Sequence, residues 1–277
     1  MNRLPYDNDG IDMKQNYVKR QPLRKFFRSF LIGWVWFCFS AATASPDPRQ
    51  LVREAIHYWR GETSYTEMEM TIHRPDWERS MKLLVWTRGE KDSLVRFIAP
   101  PKDAGNALLK VGDAMWIFTP KLNQIISLPL SMMAQRWMGS DFSYNDLAKS
   151  DQLLYQYTHT LIDTTKEGGH KIYTVESVPK TAAPVVWGKE ILKIRDDRIL
   201  LEEAFFDQEM KPVKRLRTLK IGLLGDKLYP LRMQMIVEEA SDQWTRLDYH
   251  KGYFDLNLPG YLLTQANLRS PRPWRTP

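Results

Sequence analysis

The sequence predicts a mainly β fold with a few helices (α+β): a curved antiparallel half-open barrel cupping an N-terminal helix and a mid-chain helical lid. Three observations lead there. Apolar and polar residues alternate at a period of two through most of the chain after Thr63. One amphipathic helical pattern precedes them. A single Met-rich stretch, poor in β-branched residues, interrupts the alternation.

The first 44 residues are set apart by their layout. Lys19, Arg20, Arg24, Lys25 and Arg28 form a basic region, and an apolar run from Phe30 closes on Ala42-Thr43-Ala44. That is the plan of a secretory signal peptide cut after Ala44. The run is about 15 residues, short of the roughly 20 that cross a bilayer as a helix. Met13 offers an alternative start. Cys38 follows Val35-Trp36-Phe37, where a lipobox would place small residues, so lipidation there is not expected. The expected organisation is a signal peptide over 1–44, a single domain over 45–268 and a disordered tail over 269–277, with export to the periplasm.

Removing the leader changes the electrostatics. The full chain carries +7, but 33 basic against 30 acidic side chains remain after Ala44. The only cationic concentration left is Arg269, Arg272 and Arg275, spaced with prolines, and a nucleic-acid-binding stripe is missing. The single cysteine leaves with the leader, so disulfides and thiol chemistry are excluded and the core alone must hold the domain. A chain of this size can bury such a core.

The helix opens at Asp47, a good N-cap, followed by Pro48, whose missing N–H costs nothing at the first position. Leu51, Ala55, Ile56 and Trp59 recur at helical spacing, and Gly61 supplies the stop. Met68, Met70 and Ile72 then alternate with Glu67, Glu69 and Thr71, and Met81, Leu83 and Val85 follow less cleanly. Strand-like runs continue over 94–99, 107–111, 115–119 and 124–128. After the interruption they resume over 157–165, 171–178, 189–195, 199–206, 213–221, 231–238 and 244–249, separated by turn signals such as Gly168-Gly169 and Gly225-Asp226. The pattern is that of an antiparallel meander with one dry face and one wet face. Between them, Leu130–Met138 reads as a short helix, Gly139–Asn145 as a loop, and Asp146–Leu154 as a further helix. The helices need the concave side of the sheet to bury their apolar faces.

No enzyme chemistry is evident. The histidines at 57, 73, 159, 170 and 250 lack ligand spacing, and no nucleophile elbow, phosphate loop or dinucleotide fingerprint occurs. Asp141, Asn145 and Asp146 miss the calcium-loop spacing and read as helix caps. Glu202 and Glu203 are strand neighbours on opposite faces. No cofactor is expected. What remains is apolar: ten methionines follow the leader, a residue type that repacks around ligands of varied shape. Met68, Met70, Ile72, Leu83 and Val85 are the candidate floor of a lipid-binding pocket, faced by Met132, Met133, Trp137 and Met138. The pattern by itself fits an ordinary core as well or better.

A resemblance adds to this. The stretch from Phe97-Ile98-Ala99-Pro100-Pro101 to Leu109, then Gly112-Asp113-Ala114-Met115-Trp116, resembles the LolA-like outer-membrane lipoprotein-sorting proteins. Its strongest segment is Met138-Gly139-Ser140-Asp141-Phe142-Ser143-Tyr144-Asn145-Asp146-Leu147, and Tyr261-Leu262-Leu263-Thr264 resembles the family's ending. The resemblance implies a half-open barrel with a lid over an apolar cavity, in a Gram-negative periplasm. It implies cargo of lipid or lipoprotein acyl chains, with an inner-membrane exporter of the RND type and an outer-membrane acceptor as partners. A monomer is expected, and no lid arginine of the family maps onto a position here. A non-carrier scaffold or sensor of an envelope complex keeps the same fold, and an exported hydrolase lacks its nucleophile and base.

Overall fold

A computed structural model describes residues 45–148 and 150–275. The leader expected over 1–44, with its cleavage after Ala44, lies outside the described residues. From Ser45 onward the chain clusters as one unit.

Helix α1 (Pro48–Arg60) begins where Asp47 accepts from the Arg49 amide at 3.0 Å and stops at Gly61. Its buried face, Leu51, Val52 and Ala55, packs on Leu153, Leu154, Val175 and Leu192. Trp59, on the same helical pattern, is 38% exposed and is not a core residue.

Thirteen strands form one antiparallel sheet. The first wing holds β1 (Thr63–Arg74), β2 (Trp77–Arg88), β3 (Asp92–Ala99), β4 (Ala107–Val111), β5 (Ala114–Thr119) and β6 (Gln124–Ser127). The second holds β7 (Tyr157–Glu167), β8 (His170–Pro179), β9 (Lys189–Arg195), β10 (Leu200–Phe206), β11 (Pro212–Leu224), β12 (Lys227–Val237) and β13 (Ala240–Phe254). Each wing is a meander, and pairing of the first strand with the last joins them, Met68 opposite Tyr249 and Met70 opposite Leu247. β6 and β7 are left as the outer strands. The sheet curves as an open half-barrel.

In the first wing both faces are dry, although strict alternation predicts one wet face. Tyr65, Trp86, Leu94 and Leu109 point away from the concave side, and the chain from Leu258 to Leu268 folds over them. That segment ends in α4 (Gln265–Arg269), capped by Thr264. The tail expected to be disordered continues this cover. Trp274 sits 4.9 Å from the Tyr65 ring and 6.2 Å from Trp86, and the Arg272 amide donates to Asn267 Oδ1 at 2.9 Å. One aromatic anchor is enough to hold a proline-spaced segment whose backbone has little entropy to lose.

The helix expected over Leu130–Met138 is not continuous. The chain makes two 3₁₀ turns, Leu130–Met132 and Trp137–Gly139, then α2 (Tyr144–Ala148) and α3 (Ser150–Gln156). Met138 and Gly139 both sit at positive φ, 53° and 78°, where a right-handed helix cannot continue. The Ser140 hydroxyl donates to the Trp137 carbonyl at 2.7 Å, and the Trp137 amide to the Phe142 carbonyl at 2.7 Å, which closes a tight loop instead. The lid is therefore helical only in its second half.

Candidate functional site

On the concave side, α1 and the loop–α2 segment enclose a cavity of about 210 Å³ against the sheet. Its walls come from both wings: Met68, Leu83, Val95 and Leu108 on one side, Leu216, Met233, Met235 and Leu247 on the other. Trp137 and Phe142 close it from the mid-chain segment, and Ile56, Tyr58 and Trp59 from α1. Inward positions two residues apart build this surface, which is why its rows of side chains are continuous across paired strands.

Of the residues singled out from the sequence, Met68, Leu83, Val85 and Trp137 line the cavity. Met70 and Ile72 lie further along β1, fully buried in the core cluster that continues from the cavity. Met132, Met133 and Met138 are partly buried and pack against that cluster. Pattern analysis missed the contribution of the second wing. Met233 and Met235 alternate clearly along β12, yet only the β1–β13 pairing brings them into one sheet with Met68, Met233 in the row of Leu247 and Met70.

The motif Met138–Leu147 holds its own loop down. Asp141 has a side chain with no solvent exposure, and Arg74 of β1 grips it through two bonds, 2.9 and 3.2 Å. Thr245 of β13 donates to Asp141 Oδ2 at 2.7 Å and accepts its amide at 2.9 Å. Arg74 also donates to the Gly139 carbonyl at 3.0 Å. Lys214 of β11 reaches the Asp141 carbonyl at 3.0 Å and forms an ion pair with Asp146. Asp146 caps α2 reciprocally with Ser143: Oδ2 accepts the Ser143 amide at 2.6 Å while Ser143 Oγ accepts the Asp146 amide at 3.2 Å. Trp187 Nε1 donates to Asp146 Oδ1 at 3.3 Å, and the Lys214 ammonium lies 4.9 Å from the Trp187 ring. Phe142 and Tyr144 face inward, and burial raises the Tyr144 hydroxyl above its ordinary pKa. Arg74, Lys214, Trp187 and Thr245 carry no local signal of this role, because each meets the motif only through the folded sheet.

Among the described residues no group of three His, Cys, Asp or Glu side chains converges on a metal-sized site. The site offers a cavity and a polar clasp.

The half-barrel and its covered cavity define the LolA-like fold. An outer-membrane lipoprotein-sorting protein domain from Vibrio parahaemolyticus superposes with a TM-score of 0.71 at 19% identity, over 80% of this chain and 98% of that one. A DUF1329-family protein from Desulfovibrio piger gives 0.72 at 20% identity, over 80% and 100%. A LolA-superfamily protein from Nitrosomonas europaea gives 0.67 at 20% identity, over 80% and 99%. No curated protein sequence matches. A family model described as "-like: Uncharacterized protein" matches residues 89–270, and the chain belongs to that family.

Proposed function

We propose that the protein is a periplasmic carrier, or an accessory to one, that binds acyl chains of lipid or lipoprotein in its cavity for transfer toward the outer membrane. The observation that carries this reading is the cavity itself: walled mainly by Met, Leu, Val and aromatic side chains, and covered by segments that are not part of the sheet. Burying an acyl chain gains about 0.8 kcal/mol per CH₂. A carrier must give most of this back on release. Flexible methionine walls and a cover held by a few polar bonds lower net affinity to a transferable level. The sorting function named for the Vibrio domain agrees with this role. An inner-membrane exporter as donor and an outer-membrane acceptor are the partners this route requires.

The alternative is a scaffold whose cavity stays filled by its own side chains, and the close packing of Met70, Ile72 and Met133 favours it. Native mass spectrometry of protein purified from the periplasm separates the two. A co-purifying lipid supports the carrier, and a clean apo mass with no uptake of added fatty acid supports the scaffold.

A further inference from the structure

The cavity wall is not uniform along the strands. Inward positions of β1 run Ser64, Thr66, Met68, two residues apart, and the paired strands follow the same order. Ser64 lies opposite Thr87, and Thr87 opposite Ser93, so one row across three strands is made of hydroxyls. The next row is Thr66, Val85, Val95 and Leu108, and the row after it Met68, Leu83 and Phe97. At about 3.3 Å per residue the wall passes from hydroxyl to methionine within roughly 13 Å.

All four hydroxyl residues are buried and all line the cavity. Two of them satisfy each other: Ser64 Oγ lies 2.6 Å from Thr87 Oγ1, and Thr87 also donates to the Arg60 carbonyl at 3.2 Å. The hydroxyls of Thr66 and Ser93 have no hydrogen-bond partner among the described residues. Arg60 lies at the same end, anchored by its Nε to the Gly89 carbonyl at 3.0 Å and by Nη2 to the Asp92 carbonyl at 2.9 Å. Polar groups buried at a cavity wall without protein partners cost free energy unless water or a ligand meets them.

Resting on the carrier reading, we propose that the cavity takes a single-headed amphiphile in one direction only. Its head, bearing ester, carboxylate or hydroxyl oxygens, sits at the Thr66–Ser93 end beside Arg60. Its chain runs along Met68 and Leu83 toward Trp137. The hydroxyls donate to head oxygens.

The test compares two ligands of equal chain length, monopalmitoylglycerol and hexadecane, by displacement of the neutral probe N-phenyl-1-naphthylamine. The parent protein should prefer the headed ligand. Thr66→Val combined with Ser93→Ala should cut that preference about tenfold, as expected for two lost hydrogen bonds. Thr66→Ser, which keeps the hydroxyl, should retain it. The double variant should melt at or above the parent temperature, because no protein partner is lost. Ser93→Ala alone, too small a change to unfold the protein, should give about a threefold loss. An unchanged preference in the variants, with both ligands still bound, overturns the orientation and leaves the carrier standing. Failure of the parent to bind the probe or either ligand overturns the carrier reading, and this inference with it.

Discussion

Asp141 is the residue on which the cover of the cavity turns. Its carboxylate is fully buried, and the charge is balanced by Arg74 and satisfied by Thr245. Such a pair adds little net stability over a well-packed apolar substitute, but removing one partner strands the other. Asp141→Ala should therefore cost about 3–5 kcal/mol, read from denaturant midpoints, while Asp141→Asn, which keeps the Thr245 contacts, should cost less. A second residue-scale effect is acid sensitivity. Burial pushes His159 down to about 4 from 6.5; the nearby Arg49 and Lys180 charges also lower it, and a backbone bond near Leu153 and the Asp47 charge oppose. Its Nδ1 lies 2.8 Å from Ser177 Oγ. The unfolded chain takes this proton near 6.5 and the folded chain only near 4, so the unfolded state binds more protons between them. Stability should fall as pH drops through that window. His159→Gln should flatten the slope of midpoint against pH there, and an unchanged slope would assign the acid sensitivity to other groups.

Elements were legible wherever a local pattern decides them. Asp47-Pro48 and Gly61 mark α1, and thirteen period-two runs mark thirteen strands. The mid-chain segment was misjudged because methionines without β-branching favour a helix, whereas Ser140 and Asp146 bond to nearby backbone and win locally. In the tail, proline and arginine suggest disorder, and one tryptophan among its described residues, Trp274, joins a three-ring cluster with Tyr65 and Trp86. This yields a prediction for the element. Trp274→Ala should lower stability by about 1–3 kcal/mol through the two lost ring contacts and the apolar area they cover. Limited proteolysis should then cut the chain beyond Ser270, where the parent resists; equal resistance would mean that α4 alone holds the segment.

At the scale of the whole molecule, the decisive feature is the seam between β1 and β13. Pairing of strands so far apart in sequence leaves no local trace, so the candidate pocket could be drawn from the chain only on its first wing. The seam brings Met233 and Leu247 onto the same cavity as Met68 and Leu83. A ligand held there touches both wings at once. Binding to the folded state alone stabilises it by about 2.7 kcal/mol at a hundredfold excess over Kd. In the proposed carrier this gain must spread across the seam rather than stay in one wing. Hydrogen exchange with and without saturating palmitate measures it directly. Amides of β2 and β3 and amides of β11 and β12 should gain protection together, and the outer strands β6 and β7, which contribute nothing to the cavity wall, should gain only through global unfolding. Protection confined to the first wing would show that the ligand lies along β1–β4 without reaching the second, and that the cavity shared by both wings is not the binding site.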